Sequence, residues 1–197
     1  MKNVIKMLLV LLTFSTINAC KKTNLDPLTN ADKESLLFML EEEKLARDTY
    51  EFLDTKWGIS QFANIKKSEQ SHMDAISNLL DQYKIAYTIL TYGNFSNQDL
   101  QDYYDQFVLD GAVSAEIALQ IGATIEDLDI VDLENYKSNT VNSNIVSVFD
   151  KLQCGSRNHL RSFVSTIDSN GNTYSPQFLS SSEYLSIING SNEQCGK

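Results

Sequence analysis

The chain has 197 residues, 42% of them hydrophobic, with only 2 Pro and 8 Gly. That is enough apolar material for one sizeable core and too little turn chemistry for a fold of many short strands, so long helices are expected. The formal net charge is -10 and Lys and Arg do not cluster, which argues against a nucleic-acid partner; an acidic surface of this kind is first of all a solvated, self-repelling one, with attraction of cations as the alternative.

Lys2 and Lys6 precede the apolar run 7–14, and Ile17-Asn18-Ala19-Cys20 follows. A basic start, a short apolar stretch and a small residue before the cut make a secretory signal. The run is too short to span a membrane as a helix with soluble flanks. Cys20 directly after Ala19 resembles a bacterial lipobox, in which the Cys becomes an acylated N-terminus. The expected organisation is therefore a lipoprotein signal peptide over 1–19, a tether over 20–30, one domain over 31–190 and a tail over 191–197. The expected location is the bacterial cell envelope, anchored to a membrane through lipid on Cys20 and periplasmic or surface-exposed. Plain secretion with cleavage nearby is the alternative. In an oxidising compartment the other two cysteines, Cys154 and Cys195, are a disulfide candidate that would tie the tail to the domain. Two free thiols are the alternative. Neither has the spacing of a zinc knuckle.

A first helix is expected over 31–55, with Asn30 as its N-cap. Its inner stripe reads Leu36, Leu40, Glu43, Ala46, Tyr50, Leu53, while Glu41, Glu42 and Lys44 read as a solvated face. Trp57-Gly58 breaks it. A second helix over 61–83 carries Phe62, Ile65, Glu69, His72, Ile76 and Leu79 on one face, spaced by threes and fours. Gly93-Asn94 marks a loop, followed by a short helix to about 110. A third long helix over 114–135, capped by Ser114, places Glu126 and Asp129 on its inner stripe; Glu116, Asp127 and Asp132 read as solvated. A fourth over 141–168 has the stripe Ile145, Val148, Leu152, Gly155, His159, Phe163. Ser180 and Glu183 form a capping-box pattern for a last small helix. No segment alternates with the period of a half-buried strand. Four long helices with short accessory ones give an all-α four-helix bundle.

Each long helix thus sends a carboxylate or an imidazole inward: Glu43, then Glu69 and His72, then Glu126 and Asp129, then His159. One such residue alone would be a satisfied structural group. Four carboxylates together repel one another unless cations lie between them. Carboxylate and imidazole donors suit Fe, Mn or Zn.

The stretches 41–50, 68–73, 122–130 and 156–160, which hold these residues, resemble the ferritin-like family DUF2202 over nearly all the expected domain. The chain is more distantly similar to rubrerythrin. Glu43, Ala46, Arg47 and Tyr50 match the pattern of that family's first helix, and Glu69 and His72 match its second-helix Glu-x-x-His. Glu126 and Asp129 match a third-helix carboxylate pair. His159 matches the fourth-helix His, but Ser156 stands where the Glu of Glu-x-x-His would be. The resemblance implies a ferritin-like four-helix bundle holding two iron ions, with manganese or zinc as alternatives. Glu69 and Glu126 would bridge or clamp the metals. Glu43 and His72 would bind one and His159 the other, with Asp129 a supplementary or switching ligand. Tyr50 reads first as a packing residue, with hydrogen-bond donation to a carboxylate as its other role. Arg47 and Arg157 are candidates for balancing charge, against plain surface exposure. The implied activity is a di-iron oxidoreductase of peroxidase or ferroxidase type; its catalytic residues are not assigned, and a homodimer is left open. The rubredoxin-like module of some rubrerythrins has no counterpart in this sequence. The competing reading is a non-catalytic metal-binding or structural bundle with a degenerate site.

Overall fold

The computed structural model describes residues 25–196. The expected signal peptide and Cys20 lie outside the described residues. The described residues form six helices and no strand: α1 Asn30–Trp57, α2 Ser60–Gln82, α3 Gln98–Gly111, α4 Ala115–Ser138, α5 Ser143–Ser169 and α6 Ser181–Ile188. No helix among them is long and apolar enough to cross a membrane.

The ends follow local chemistry. Thr29, not Asn30, caps α1: its hydroxyl accepts from Asp32 N and the Asp32 carboxylate accepts from Thr29 N. Asn30 has Lys33 three residues on and could not close this reciprocal box. At the other end Gly58 takes φ +62°, a left-handed conformation that glycine adopts without a side-chain penalty. Only Gly58 and Ile59 then separate α1 from α2, so α2 folds back along α1. The fourth long helix starts two residues later than expected because Asn142 caps it, accepting from Asn144 N and Ile145 N. Val141 is left 99% exposed. Ser180 and Glu183 form the expected capping box of α6.

The four long helices pack in a closed ring: α1 on α2, α2 on α5, α5 on α4 and α4 on α1. The short α3 lies against α1 and α4, and α6 lies against α5. Two apolar clusters fill the interior. One gathers Tyr50, Leu53, Phe62, Leu119, Ala123 and Phe163; the other gathers Leu36, Met39, Met73, Ile76, Ile145 and Phe149. On every long helix the inward charged residues fall between these clusters in sequence. The interior is therefore apolar, then charged, then apolar. Cys154 on α5 is joined to Cys195 by a disulfide that fastens the tail to the helix.

Several charged positions expected to be solvated are not. Lys44 and Asp127 are buried and Glu42 is 2% exposed. The Lys44 ammonium reaches Asp48 Oδ2 at 2.6 Å, donates to Thr91 O and Asn94 O, and lies over the Phe95 ring. Glu41 accepts from Ser96 N and Asn97 N. Asp127 accepts from the amides of Gln177, Phe178 and Leu179 and from the Tyr174 hydroxyl. Asp132 is half-buried. For Glu41, Lys44 and Asp127 the physical reason is shared: loops 91–97 and 174–179 lie across helix faces that a bare helix would expose, and their backbone groups need buried partners.

Candidate metal centre

The inward stripes of α1, α2, α4 and α5 converge, and they bring Glu43, Glu69, His72, Glu126 and His159 together. Glu69 stands in the middle. Its Oε2 lies 2.8 Å from His72 Nδ1 and its Oε1 lies 2.9 Å from His159 Nδ1. On one side Glu43 Oε2 approaches His72 Nδ1 at 3.1 Å; on the other Glu126 Oε2 approaches His159 Nδ1 at 3.3 Å. The imidazole rings are stacked at 26°, with centroids 5.7 Å apart. Two donor groups result, Glu43–Glu69–His72 and Glu69–Glu126–His159, each with its ligand atoms within 4.8 Å of one another. Glu69 belongs to both.

Supporting contacts fix this geometry. Tyr50 is fully buried, and its hydroxyl donates to Glu126 Oε1 at 2.6 Å and reaches Gly122 O at 3.2 Å. Tyr50 is thus both packed and hydrogen-bonded. Gly155 makes room for an imidazole: a Cβ there would lie 2.7 Å from His72 Nε2. The Nδ1 atoms face the carboxylates, while both rings line a pocket of about 380 Å³ with Ser68, Ser71, Asn158 and Cys195.

Asp129 is buried beside the two groups but belongs to neither. The Ser156 hydroxyl is hydrogen-bonded to its Oδ2. Serine at this position therefore holds a neighbouring carboxyl where the resemblance would have placed a further carboxylate. Arg47 pairs with Asp48, and Arg157 pairs with Glu193 on the tail. Neither arginine is bonded to the site carboxylates, so charge balance does not come from them. Glu42, read as solvated in the sequence, is a further buried carboxylate whose two oxygens have no hydrogen-bond partner. Its neighbouring charges are Asp129, Asp132 and Glu43.

The protein alone does not satisfy this constellation. Each Nδ1 faces two carboxylates and carries at most one proton. Glu43 Oε1, Glu69 Oε1, Asp129 Oδ1 and His159 Nδ1 are buried without a hydrogen-bond partner. Glu69 Oε1 approaches His159 Nδ1 to 2.9 Å without hydrogen-bond geometry. Burial pushes Glu43 up to about 8 against the pull of His72. It also carries Asp129 well above its ordinary value, with the Glu43 charge adding to the effect. Burial raises Glu126 as well, partly offset by His159. Glu69 is the exception: two imidazoles overcome its desolvation and hold it below the usual carboxylate range. Burial disfavours the charged imidazoles, yet Glu43 and Glu69 raise His72, and Glu69 with Glu126 raises His159 to about 10. Without cations the site keeps protons where carboxylates and imidazoles would otherwise bind metal. The residues fit two divalent ions by donor type, by burial and by these orphaned atoms.

Sequence reasoning named these five residues and Asp129. It missed Glu42 and did not assign Gly155 its role of clearing space for His72. The helical period alone could not have found Glu42, because it sits off the inner stripe.

The sequence profile of the family described as "Uncharacterized protein domain (DUF2202)" matches residues 32–191. The chain is 45% identical over 170 residues to the uncharacterized protein MJ0754 of Methanocaldococcus jannaschii, covering 85% of this chain and 92% of that protein. The crystal structure of that hypothetical protein is similar to this one with a TM-score of 0.84, covering 85% of this chain and 97% of its own. The match spans every helix that supplies a site residue, and the chain belongs to the DUF2202 family.

Proposed function

We propose that this protein is a ferritin-like four-helix bundle holding a dinuclear metal centre, with two irons performing redox chemistry. The reactions that suit it are reduction of peroxide or oxygen, or oxidation of Fe(II). The observation that carries this reading is Glu69, which offers one oxygen to each histidine group and so can bridge two ions. Glu43 and His72 would complete one ion's protein ligands; Glu126 and His159 would complete the other's. Two bound irons would supply electrons one at a time at a site largely shielded from water. The chain's residues do the rest. Tyr50 orients Glu126 through its hydroxyl, and an outward ligand's partner of this kind tunes the metal it serves. The two apolar clusters on either side keep the charged layer dry. The pocket over His72 and His159 gives small solutes access.

The same reading puts the protein at a bacterial envelope membrane through lipid on Cys20, facing an oxidising space in which the Cys154–Cys195 bond can form. A second reading, a metal-binding bundle without turnover, is favoured by Ser156, which supplies a hydroxyl where the resemblance expects a carboxylate.

The deciding measurement is metal content of the chain starting at Lys21, purified without a metal-binding tag. The expected result is about two irons per chain and an absorption band that changes when peroxide is added. Bound metal with no response to peroxide, oxygen or Fe(II) would leave the second reading. No metal after anaerobic loading with Fe(II) or Mn(II) would overturn both. Membrane fractionation and the mass of the N-terminal peptide test the anchor; an unmodified Cys20 would reject it.

A further inference from the structure

The Cys154–Cys195 disulfide stands between two pockets. The pocket of about 380 Å³ over His72 and His159 has Cys195 in its wall. A second, outer hollow of about 630 Å³ has Cys154 and Cys195 in its wall, with Val141, Ser147 and Gln194. Cys195 is exposed. Cys154 precedes Gly155, the residue that lies against His72. Lys151 lines both pockets, and Asn158 Nδ2 donates to Cys195 Sγ at 3.3 Å. An amide donor on an exposed sulfur, in a pocket that a lysine also lines, favours the thiolate that reduction produces. Redox-labile disulfides are the exposed ones in such surroundings. The tail is also held without the disulfide: the Glu193 carboxylate is gripped by Arg157 and Arg161, and its backbone by Asn158. The bond can therefore open without releasing the segment that carries Cys195.

We propose that Cys154 and Cys195 are a redox-active pair that passes two electrons from an external dithiol, received at the outer hollow, to peroxide at the histidine site. This rests on the peroxide reading of the centre given above. In the first half a thiolate of the external dithiol attacks Cys195 Sγ. The Cys154–Cys195 bond breaks, and Cys154 leaves and takes a proton. The reductant's second thiol then displaces Cys195, which is protonated in turn, and the reductant departs as a cyclic disulfide. In the second half the two cysteine thiols give two electrons and two protons to one hydrogen peroxide. The O–O bond breaks, the Cys154–Cys195 bond re-forms and two waters leave. Two thiols and one peroxide match electron for electron, and Cys195 shares the wall of one pocket with both site imidazoles.

The test uses the mature protein in detergent, iron-loaded and metal-free, reduced with dithiothreitol and freed of it anaerobically. Thiols are then counted by alkylation and peptide mass, which keeps Cys20 separate. One equivalent of hydrogen peroxide is added. The expected result is that dithiothreitol opens the bond in the folded protein, and that one peroxide closes it at least tenfold faster with iron than without. A Cys154→Ser/Cys195→Ser variant should keep two irons and its absorbance response to a single peroxide addition. It should lose dithiothreitol-driven peroxide consumption at least tenfold. A bond that dithiothreitol leaves intact, equal closing rates with and without iron, or wild-type turnover by the double variant would each overturn the relay and leave the disulfide a structural staple. Those results leave the metal centre standing. Failure to bind iron at all would reject the centre, and the relay with it.

Discussion

Asp48 and Glu43 are both acidic, both buried, and five residues apart on α1, yet their surroundings are opposite. Asp48 has two cations and a backbone amide: Lys44 at 2.6 Å, Arg47 at 2.6 Å and Gly93 N at 2.9 Å. Lys44 in turn spends its remaining protons on Thr91 O and Asn94 O. That set closes on itself. Glu43 shares one imidazole with Glu69, leaves Oε1 unpartnered and faces Asp129 without any Lys or Arg in contact. A buried charge persists only when paired or bound to metal. The Asp48 set is thus a structural clamp for the loop, while the Glu43 set keeps buried, unpartnered donor atoms of the kind that hold a cation. Stability and metal content should therefore respond in opposite ways to damage at the two places.

The largest effect on folding is expected at the clamp. Asp48→Ala strands a buried ammonium and releases Gly93 N, and breaking a buried pair from one side costs about 3–5 kcal/mol. Urea unfolding should show that loss, while the folded fraction still takes up its full metal content. A variant that keeps its stability but loses metal would reverse the comparison. Gly155→Ala should follow. Its Cβ would lie 2.7 Å from His72 Nε2, so the ring must move. Overpacking of this kind costs about 1–3 kcal/mol. Here metal content should fall along with stability, and unchanged content would show that His72 is free to shift without leaving its ligand position.

The pH response separates the two sets further. Glu43 is held up to about 8 and His159 up to about 10 in the folded, metal-free protein. Both keep protons that the unfolded chain releases near 4.5 and 6.5. A raised folded value stabilises at low pH and that contribution is lost as pH rises through it. Stability of the metal-free form should therefore fall by about 2 kcal/mol between pH 7 and 8, since each fully retained proton is worth about 1.4 kcal/mol per unit and Glu43 is partly titrated in that window. Glu69 acts the other way, but its contribution is lost only below the ordinary carboxylate range. Metal binding must displace these protons, so affinity should rise with pH. Denaturant curves with and without metal check both. A flat metal-free profile would mean that the site is not holding the protons.

The parts of this comparison were unequally legible in the sequence. The helical period gave Glu43, Glu69, His72, Glu126 and His159, because each lies on a stripe whose other members are Leu, Ile, Phe or Tyr. The charged layer between two apolar clusters follows from the same spacing. Asp48 and Lys44 were invisible in that sense: they sit off the stripe, and what buries them is a loop more than forty residues away. Asp127 is hidden for the same reason, since its partners lie at 174–179. A period reports which face of a helix meets other helices. It says nothing of faces covered by irregular chain.

Asp129→Asn is expected to have the smallest effect on folding, and it probes a buried carboxyl that belongs to neither donor group. Burial, with the Glu43 charge, pushes Asp129 well above its ordinary value and so favours its protonated form in the metal-free protein. An amide of the same shape therefore replaces a neutral group with a neutral group, and it keeps an oxygen for the Ser156 hydroxyl. Metal-free stability should change by less than about 1 kcal/mol, within the range of shape-conserving swaps. Metal affinity is another matter. Asp129 Oδ1 is buried and unpartnered beside Glu43, so in the loaded protein its charge lies next to the ions. If it acts on the metals through its neighbours, content should stay at two under saturating iron while affinity drops about 10- to 100-fold, as for outer partners of metal ligands. A fall to one iron per chain would instead make Asp129 a direct ligand, taking over the place left by Ser156. Unchanged affinity would remove it from the centre and assign its burial to packing with Ser156 alone.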